Sequence, residues 1–580
     1  MKLTISRSKN SESFYIQKSF VDENGKSTSK TVRKLGNLHD LSLLLGTDRD
    51  GVIAWAKDQV RLETEKEKQE DDLITLSLSQ KKRIPKGVKR SFNCGYLYLQ
   101  ALLTDLRLDN ICRNIRNRYN FEFDIHAILS DLIYARILQP SSKLSSYNFC
   151  MSLLEPPKYL LHDVYRALSV LAKESDYIQA ELYKNSNFIH PRNKKILYYD
   201  CTNYYFEIEQ ESGSKKYGKG KQHQPNPIIG MGLFMDTDGI PLAFSLYPGN
   251  QNEQLTLKPL ERKVINDFDC SEFIYCSDSG LGSASNKLLN HTGGRSYVVT
   301  QSLKKMKKED REIALKPTQF RKIGSEKFID ISTLDENDEE VYNSIYYKEI
   351  PLDNKKLNET IIVTYSPKYR AYQSSIREGQ IQRAQKMLTE NGKIKKNRKN
   401  PNDPARFIKK TSVTENGETA DEIMCEIDYE VIENEKKYDG FYAVATDVDG
   451  DIEEVIKINQ GRWQIEECFR IMKTEFSARP INVSLEDHIE AHFLTCFIAL
   501  LVYRLLEIKL DKKYTVEKTI DCLKAMRLNL FTGEGYAPDY ERTDLTDDLY
   551  RVFGFHTDYE FIRKSKLRSI IKQTKERKNS

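Results

Sequence analysis

The stretch NQGRWQIEECFRIMK, Asn459–Lys473, decides how the chain is read. Ile465, Cys468, Phe469, Met472 and Phe476 recur at three- and four-residue spacing, which predicts the start of a long amphipathic helix with one apolar stripe. Arg462, Glu466, Arg470 and Lys473 follow one another at steps of four, four and three and share a neighbouring face. That face has two readings. One is a solvated surface laced with ion pairs, each worth only about a few tenths of a kcal/mol. The other is a metal-binding glutamate with cations placed for phosphate. Spacing alone does not separate them, so the further metal ligands must come from elsewhere in the chain.

Working outward, an aromatic strand precedes this helix at KKILYYDCTNYYFEIEQ, with Asp200 inside it. An acid within an apolar strand is costly to bury unless it has partners. PIIGMGLFMDTDGIPLAFSLYPGN reads as two strands joined at a turn, Asp236–Gly239. Asn250 to Glu253 resembles a capping box that opens the helix EQLTLKPLERKVINDF. EFIYCSDSG is a fourth strand with Asp278 at its carboxyl end, where α/β sheets gather ligands. GSASNKLLNH is a helix and RSYVVTQSL a fifth strand. Three meandering strands, helix, strand, helix, strand is the order of a ribonuclease-H-like α/β core. Residues 303–437 are charge-rich and break that pattern, which reads as an insertion domain before KYDGFYAVATDV returns to a buried strand type.

In such a core the first and fourth strands are neighbours and the last helix crosses them. Asp200, Asp278 and Glu466 are therefore expected to converge as catalytic, metal-binding carboxylates. Three hard oxygen ligands suit Mg²⁺ or Mn²⁺ rather than zinc. Two such ions activate a water or 3′-hydroxyl and stabilise the leaving oxygen at phosphorus. Arg462 and Lys473, with Arg470, are spaced to hold a DNA phosphate beside them.

The flanks give the rest of the organisation. The 580 residues exceed one core and suffice for three or four domains. Residues 1–45 read as a small β-rich unit, with LTISR, SFYIQKSFV and KTVRKLG as strands and DENGK, Asp22–Lys26, as a hairpin turn. Residues 46–94 read as a charged helical linker, 95–192 as a helical DNA-binding module, 193–302 and 438–480 as the two parts of the core, and 481–580 as a helical module with a basic tail. In 95–192, YLYLQALLTDLRL, DIHAILSDLIYARIL and HDVYRALSVLAKESDYIQAELY carry helical periodicity, with QPSSKLSS and EPPKY as breaks. FLTCFIALLVYRLL, interrupted by Arg504, is expected to be a core helix and not a membrane span. The ten cysteines form no CxxC pair and are expected reduced and buried, in a cytoplasmic protein. Net charge is only +5, yet the tail from Ile562 and the stretches near Ser302 and Asn391 cluster Lys and Arg, which gain by displacing counterions from a nucleic acid.

Several motifs mislead. GSKKYGKG, Gly213–Gly220, lacks the Ser or Thr of a phosphate-binding loop and reads instead as a flexible basic hairpin, with Lys219 and the nearby His223 as DNA contacts. His488 and His492 are four apart but not in a zinc-binding HExxH; helix packing or DNA contact is expected. Trp463 is expected in the core, with DNA contact as the alternative. None of the nine histidines has Arg three residues on, which counts against a tyrosine recombinase.

YYDCTNYYFE, YCSDSGLGSASN and RWQIEECFRIMK together resemble the bacterial insertion-sequence DDE transposases of the insertion-sequence-four superfamily, whose signature is Tyr-x2-Arg-x3-Glu-x6-Lys. Arg462, Glu466 and Lys473 match it; Asn459 stands at the tyrosine position, so it enters as a substitute DNA contact. DGIPLAFSLYPGNQNE, DGFYAVATD and LEDHIEAHF resemble the same family's framework, in the branch with a large insertion before the catalytic Glu. The resemblance implies a β-rich insertion, two divalent ions per site, and DNA cut and joined through a hairpin at paired terminal inverted repeats by a homodimer, in a bacterial nucleoid. The alternatives are a DNA-binding descendant without cleavage and another ribonuclease-H-like nuclease.

Overall fold

The computed structural model describes residues 1–8, 11–21, 27–72, 74, 79–81, 83–220, 225–352, 357–389, 402–412, 423–531 and 534–577. Its contacts divide into two units, Met1–Val88 and Lys89–Ser580. In the first, β1 (Lys2–Ser8), β2 (Ser11–Val21) and β3 (Ser27–Asn37) form an antiparallel sheet. Helices α1 (Leu38–Leu45) and α2 (Arg49–Asp72) cover it around Phe14, Leu41, Val52 and Ala56. The side chain of Asn37 caps α1 by accepting from the Asp40 N–H. The turn expected at Asp22–Lys26 lies outside the described residues.

The second unit opens with a short strand, β4 (Ser91–Asn93), and the helices α3 (Tyr96–Asp105), α4 (Leu108–Arg116), α5 (Ile125–Leu138), α6 (Lys143–Cys150), α7 (Leu161–Lys173) and α8 (Ser175–Ser186). Two details differ from the periodicity. QPSSKLSS is only partly a break, because Ser142 caps α6 within it. The run from His162 to Tyr183 is two helices, because Glu174 leaves helical geometry and turns to Arg118 and Tyr119, 2.5 and 2.9 Å away.

The central sheet follows: β5 (Ile196–Tyr205), β6 (Ile228–Met235), β7 (Pro241–Pro248), then α9 (Leu257–Asp267), β8 (Ile274–Ser277), α10 (Ala284–Leu289) and β9 (Ser296–Thr300). Asn252 caps a 3₁₀ turn, Glu253–Leu255, so α9 begins later than the capping-box reading put it. β5, β6 and β7 are antiparallel, whereas β5 pairs parallel with β8 and β8 parallel with β9. The order β7-β6-β5-β8-β9 is the one the strand sequence anticipated, with first and fourth strands adjacent.

The stretch after β9 holds α11 (Lys308–Leu315), β10 (Phe320–Lys322), β11 (Phe328–Ile329), α12 (Glu339–Asn343), β12 (Tyr346–Pro351), β13 (Thr360–Tyr365), α13 (Pro367–Thr389), β14 (Ile408–Ser412), β15 (Ile423–Ile427) and α14 (Tyr429–Lys436). Among the described residues β14 and β15 pair only with each other. The others do not close a sheet of their own: β16 (Phe441–Thr446) lies between β9 and β13, so β10–β13 extend the central sheet to ten strands. Pairing on both edges is why Phe441–Thr446 reads as a buried strand type.

After β16 come α15 (Ile452–Gly461), α16 (Trp463–Lys473), α17 (Glu486–Lys509), α18 (Val516–Ala525), β17 (Arg527–Phe531), β18 (Gly535–Pro538), α19 (Asp544–Phe553), β19 (Ile562–Arg563) and α20 (Lys564–Thr574). α17 carries FLTCFIALLVYRLL and packs against α3, α5 and α7, so this apolar helix is core. β4 completes the sheet β19-β18-β17-β4, and residues near 92 and 528 therefore share one body.

Candidate active site

The stretch Asn459–Lys473 is not one long helix. α15 ends at Gly461 and α16 starts at Trp463, the two meeting at Arg462. Gly461 is required there: a Cβ would stand 2.2 Å from the Tyr198 hydroxyl. That hydroxyl instead donates to the Ile458 carbonyl at 3.0 Å, seating the junction on β5. The apolar stripe is buried throughout, with Ile465, Cys468, Phe469 and Met472 inside α16 and Phe476 just past its end.

Strand alternation decides which β5 side chains meet this junction. Tyr198, Asp200, Thr202 and Tyr204 share a face. Tyr204 Oη donates to Met472 Sδ at 3.7 Å, and Lys473 Nζ donates to Thr202 Oγ1 while lying over the Tyr204 ring at 5.4 Å. Asp200 stands between these anchors, is buried, and accepts from the Cys201 N–H at 2.7 Å.

β8 leads to Asp278 in parallel with β5. Ile196 pairs with Ile274 and Tyr198 with Cys276. The paired register ends at Tyr198 and Cys276; Asp200 lies two residues beyond it on β5, and Asp278 two residues beyond it, just past the end of β8. Asp278 follows β8 directly, and its Oδ1 accepts from the Gly280 and Leu281 N–H groups at 3.0 and 3.2 Å.

Arg462 ties the third acid to these two. It pairs with Glu466 at 3.3 Å, its own side chain mostly buried and that of Glu466 59% exposed. Burial works against the guanidinium charge, yet the Tyr442 hydroxyl and the carboxylates of Glu466, Asp200 and Asp278 hold its pKa above the ordinary value. The field of all three acids thus meets at one cation. Among the described residues, Arg462 Nε and Asn459 Oδ1 are buried without a hydrogen-bond partner. Asn459 lines a cavity of about 320 Å³ with Tyr442, Tyr369 and Gly440.

The donor set fits a hard divalent cation. Among the described residues no three His, Cys, Asp or Glu side chains close round one metal position. Uncompensated carboxylates repel, and Glu466 turns to Arg462 instead. Mg²⁺ ordinarily takes one or two protein carboxylates, with waters and substrate phosphate completing its shell, and Asp200 and Asp278 are carboxylates of that kind.

The remaining sequence candidates disperse. Arg470 spends its guanidinium on Glu467 at 2.8 Å and Glu475 at 3.3 Å. Trp463 is 63% exposed, so the core reading of this ring is overturned: it sits on the outer side of α16, opposite the buried stripe. Lys219 is exposed, and its carbonyl accepts from Asn203 on β5 at 3.4 Å. His223 lies outside the described residues. Gly213–Gly220 is pinned rather than loose, Ser214 donating to Glu486 at 2.5 Å and Lys215 to the Ser484 carbonyl at 2.6 Å. His492 is buried against the Ala478 carbonyl at 3.2 Å, and His488 packs on Tyr165. Burial and nearby Arg136 and Lys143 push the His492 pKa well down. Sequence reasoning missed Thr202 and Tyr442. Thr202 was legible by period two from Asp200; Tyr442 had no local signal.

No curated protein matches the chain. Among solved structures, the cryo-EM structure of the piggyBac transposase synaptic complex with hairpin DNA aligns over 85% of this chain and 87% of that chain, at 9% identity and a TM-score of 0.35. A likeness that low carries no argument about either molecule. The family of transposase DDE domains matches residues 191–502, more than half the chain and the whole of the site just described. The chain belongs to the DDE transposase family.

Proposed function

We propose that the protein cuts and joins DNA at the ends of an insertion sequence, as a member of the insertion-sequence-four branch with a ribonuclease-H-like core. The observation that carries this reading is Arg462, whose charge is favoured by Glu466, Asp200 and Asp278 together, with β5 and β8, which lead to the two aspartates, paired in parallel.

In this reading Asp200, Asp278 and Glu466 hold two divalent ions, Mg²⁺ or Mn²⁺, which when bound activate a water or 3′-hydroxyl and stabilise the leaving oxygen. Arg462 releases Glu466 and turns its unspent Nε–H to a non-bridging phosphate oxygen. Lys473, anchored on Thr202, fixes the same phosphate as a point charge. Asn459, in the place of the signature tyrosine, and exposed Trp463 contact the strand end beside it. The helices of residues 95–192 and the basic tail grip terminal repeats and target DNA. A homodimer pairs two ends, each subunit cutting the end its partner binds, and the product of first cleavage is a hairpin. The cellular setting is the bacterial nucleoid.

The test is nicking of a labelled duplex that carries the sequences flanking the coding region. Mg²⁺-dependent nicks followed by a hairpin are expected, with none in EDTA. A second reading, a DNA-binding descendant without cleavage, is favoured by the absence of a closed three-acid group among the described residues. End binding that is equal with and without EDTA, and never followed by a nick, selects that reading and rejects the first.

A further inference from the structure

A cavity of about 1080 Å³ opens between α3, α5, α7 and the end of α20, away from the carboxylates of the active site. It is at the upper end of the size of small-molecule sites. Its wall is aromatic: Tyr96 and Tyr134 stand 5.3 Å apart, Phe121 and Phe123 are stacked at 4.3 Å, and Tyr159 closes one side. Its polar lining is acidic, with carboxylates outnumbering lysine and arginine side chains five to three. A DNA strand is poorly served by such a lining, because each phosphate would face the excess negative charge.

The deepest acid is Asp131 on α5, 9% exposed. Tyr159 donates to its Oδ2 at 2.7 Å, and among the described residues no cation pairs with it. Without one, burial raises its pKa to about 7, well above the carboxylate range. Beside it, Ser130 is 5% exposed and its hydroxyl faces the Tyr134 phenol. Tyr159 satisfies one oxygen of Asp131 but brings no positive charge, and a buried carboxylate is costly to ionise until a cation joins it. The rim already shows what fits: Lys575 Nζ sits on Glu155 at 2.6 Å, where Gln100 also donates at 3.2 Å. An ammonium is thus accommodated at the mouth, and Asp131 presents a second carboxylate in the same cavity. Aromatic faces add attraction for the same charge.

We propose that this cavity binds a linear polyamine, one terminal ammonium on Asp131 and Ser130 and the chain lying along the tyrosine wall toward the acids of the rim. The probe is spermidine, titrated calorimetrically into the full chain. One saturable site is expected, weakened at least tenfold by Asp131→Asn and also by Ala127→Leu, which narrows the cavity without touching the acid. Both variants are checked for an unchanged thermal midpoint, and either one that folds suffices for the comparison. N1,N8-diacetylspermidine, which lacks the primary ammoniums, is expected not to bind. No saturable heat, binding equal in both variants, or equal binding of the diacetyl compound overturns the proposal. So does displacement of spermidine by a lysine-rich peptide or a single-stranded oligonucleotide that binds more tightly.

Discussion

Two arginine–carboxylate pairs flank the same sheet and differ in how many donors remain unspent. Arg192 and Asp236, 2.5 Å apart, are both fully buried. Arg192 also donates to Ser186 and to the carbonyls of Ile240 and Pro241, and Asp236 accepts from the Asp238 and Ile240 N–H groups. Every branch is used, and the pair fixes the turn between β6 and β7. Arg462 and Glu466 are 3.3 Å apart, with Glu466 mostly in solvent and Arg462 Nε unbonded among the described residues. One pair is finished by folding; the other is left open for something folding does not supply.

Glu466→Gln tests the open pair most severely. It keeps shape and removes the charge, so strand cleavage is expected to fall at least about a thousandfold, about 4 kcal/mol of barrier. Binding of DNA ends and the thermal midpoint stay unchanged. If cleavage persists while binding is lost, the pair is a DNA clamp and the contrast with Arg192–Asp236 fails.

Asp236→Ala tests the finished pair. It strands a buried guanidinium, and urea unfolding is expected to show a loss of roughly 3 kcal/mol. The direction of cost runs opposite to that of Glu466→Gln: stability falls, and what protein remains folded still cleaves. A loss below about 1 kcal/mol means that Arg192 finds water and is not as sealed as its burial indicates.

Lys473→Ala lies between these extremes. Lys473 is held by Thr202 and the Tyr204 ring, so truncation leaves the helix seated through Met472 and Phe469. Single-turnover cleavage is expected to fall about 10- to 100-fold, about 1.4 to 2.7 kcal/mol. Unchanged cleavage removes Lys473 from the phosphate site.

The difference between the two pairs was only half legible in the sequence. Asp200 in an apolar strand, Asp278 at a strand end and Glu466 on an amphipathic helix could be found from local pattern, because each breaks or completes a short period. The order of the first five strands was legible for the same reason. The break at Arg462 was not, since NQGRWQIEEC keeps helical periodicity through Gly461 and only the approach to Tyr198 explains the glycine. Tyr442 and the pairing of β16 with β13 were illegible too, because strand partners 80 residues apart leave no mark on either segment. Nor did Trp463 reveal its exposure: tryptophan at a helix start reads as core until the packed face is known. The joining of residues 91–93 to 527–529 is a contact of the same non-local kind.

Arg470→Ala gives the smallest effect and the sharpest control. By spacing alone Arg470 is as good a phosphate ligand as Lys473, one helical step away. Its guanidinium is instead forked onto Glu467 and also reaches Glu475, and that hydrogen bonding raises its pKa further. Donors committed to two carboxylates are not offered to a phosphate without breaking both contacts. The pair is half exposed, so truncation is expected to change stability by less than about 0.5 kcal/mol. Cleavage is expected to change less than about threefold, against the larger loss for Lys473→Ala. A loss equal to that of Lys473→Ala means Arg470 abandons Glu467 when DNA binds, and committed donors then cease to distinguish a structural arginine from a working one.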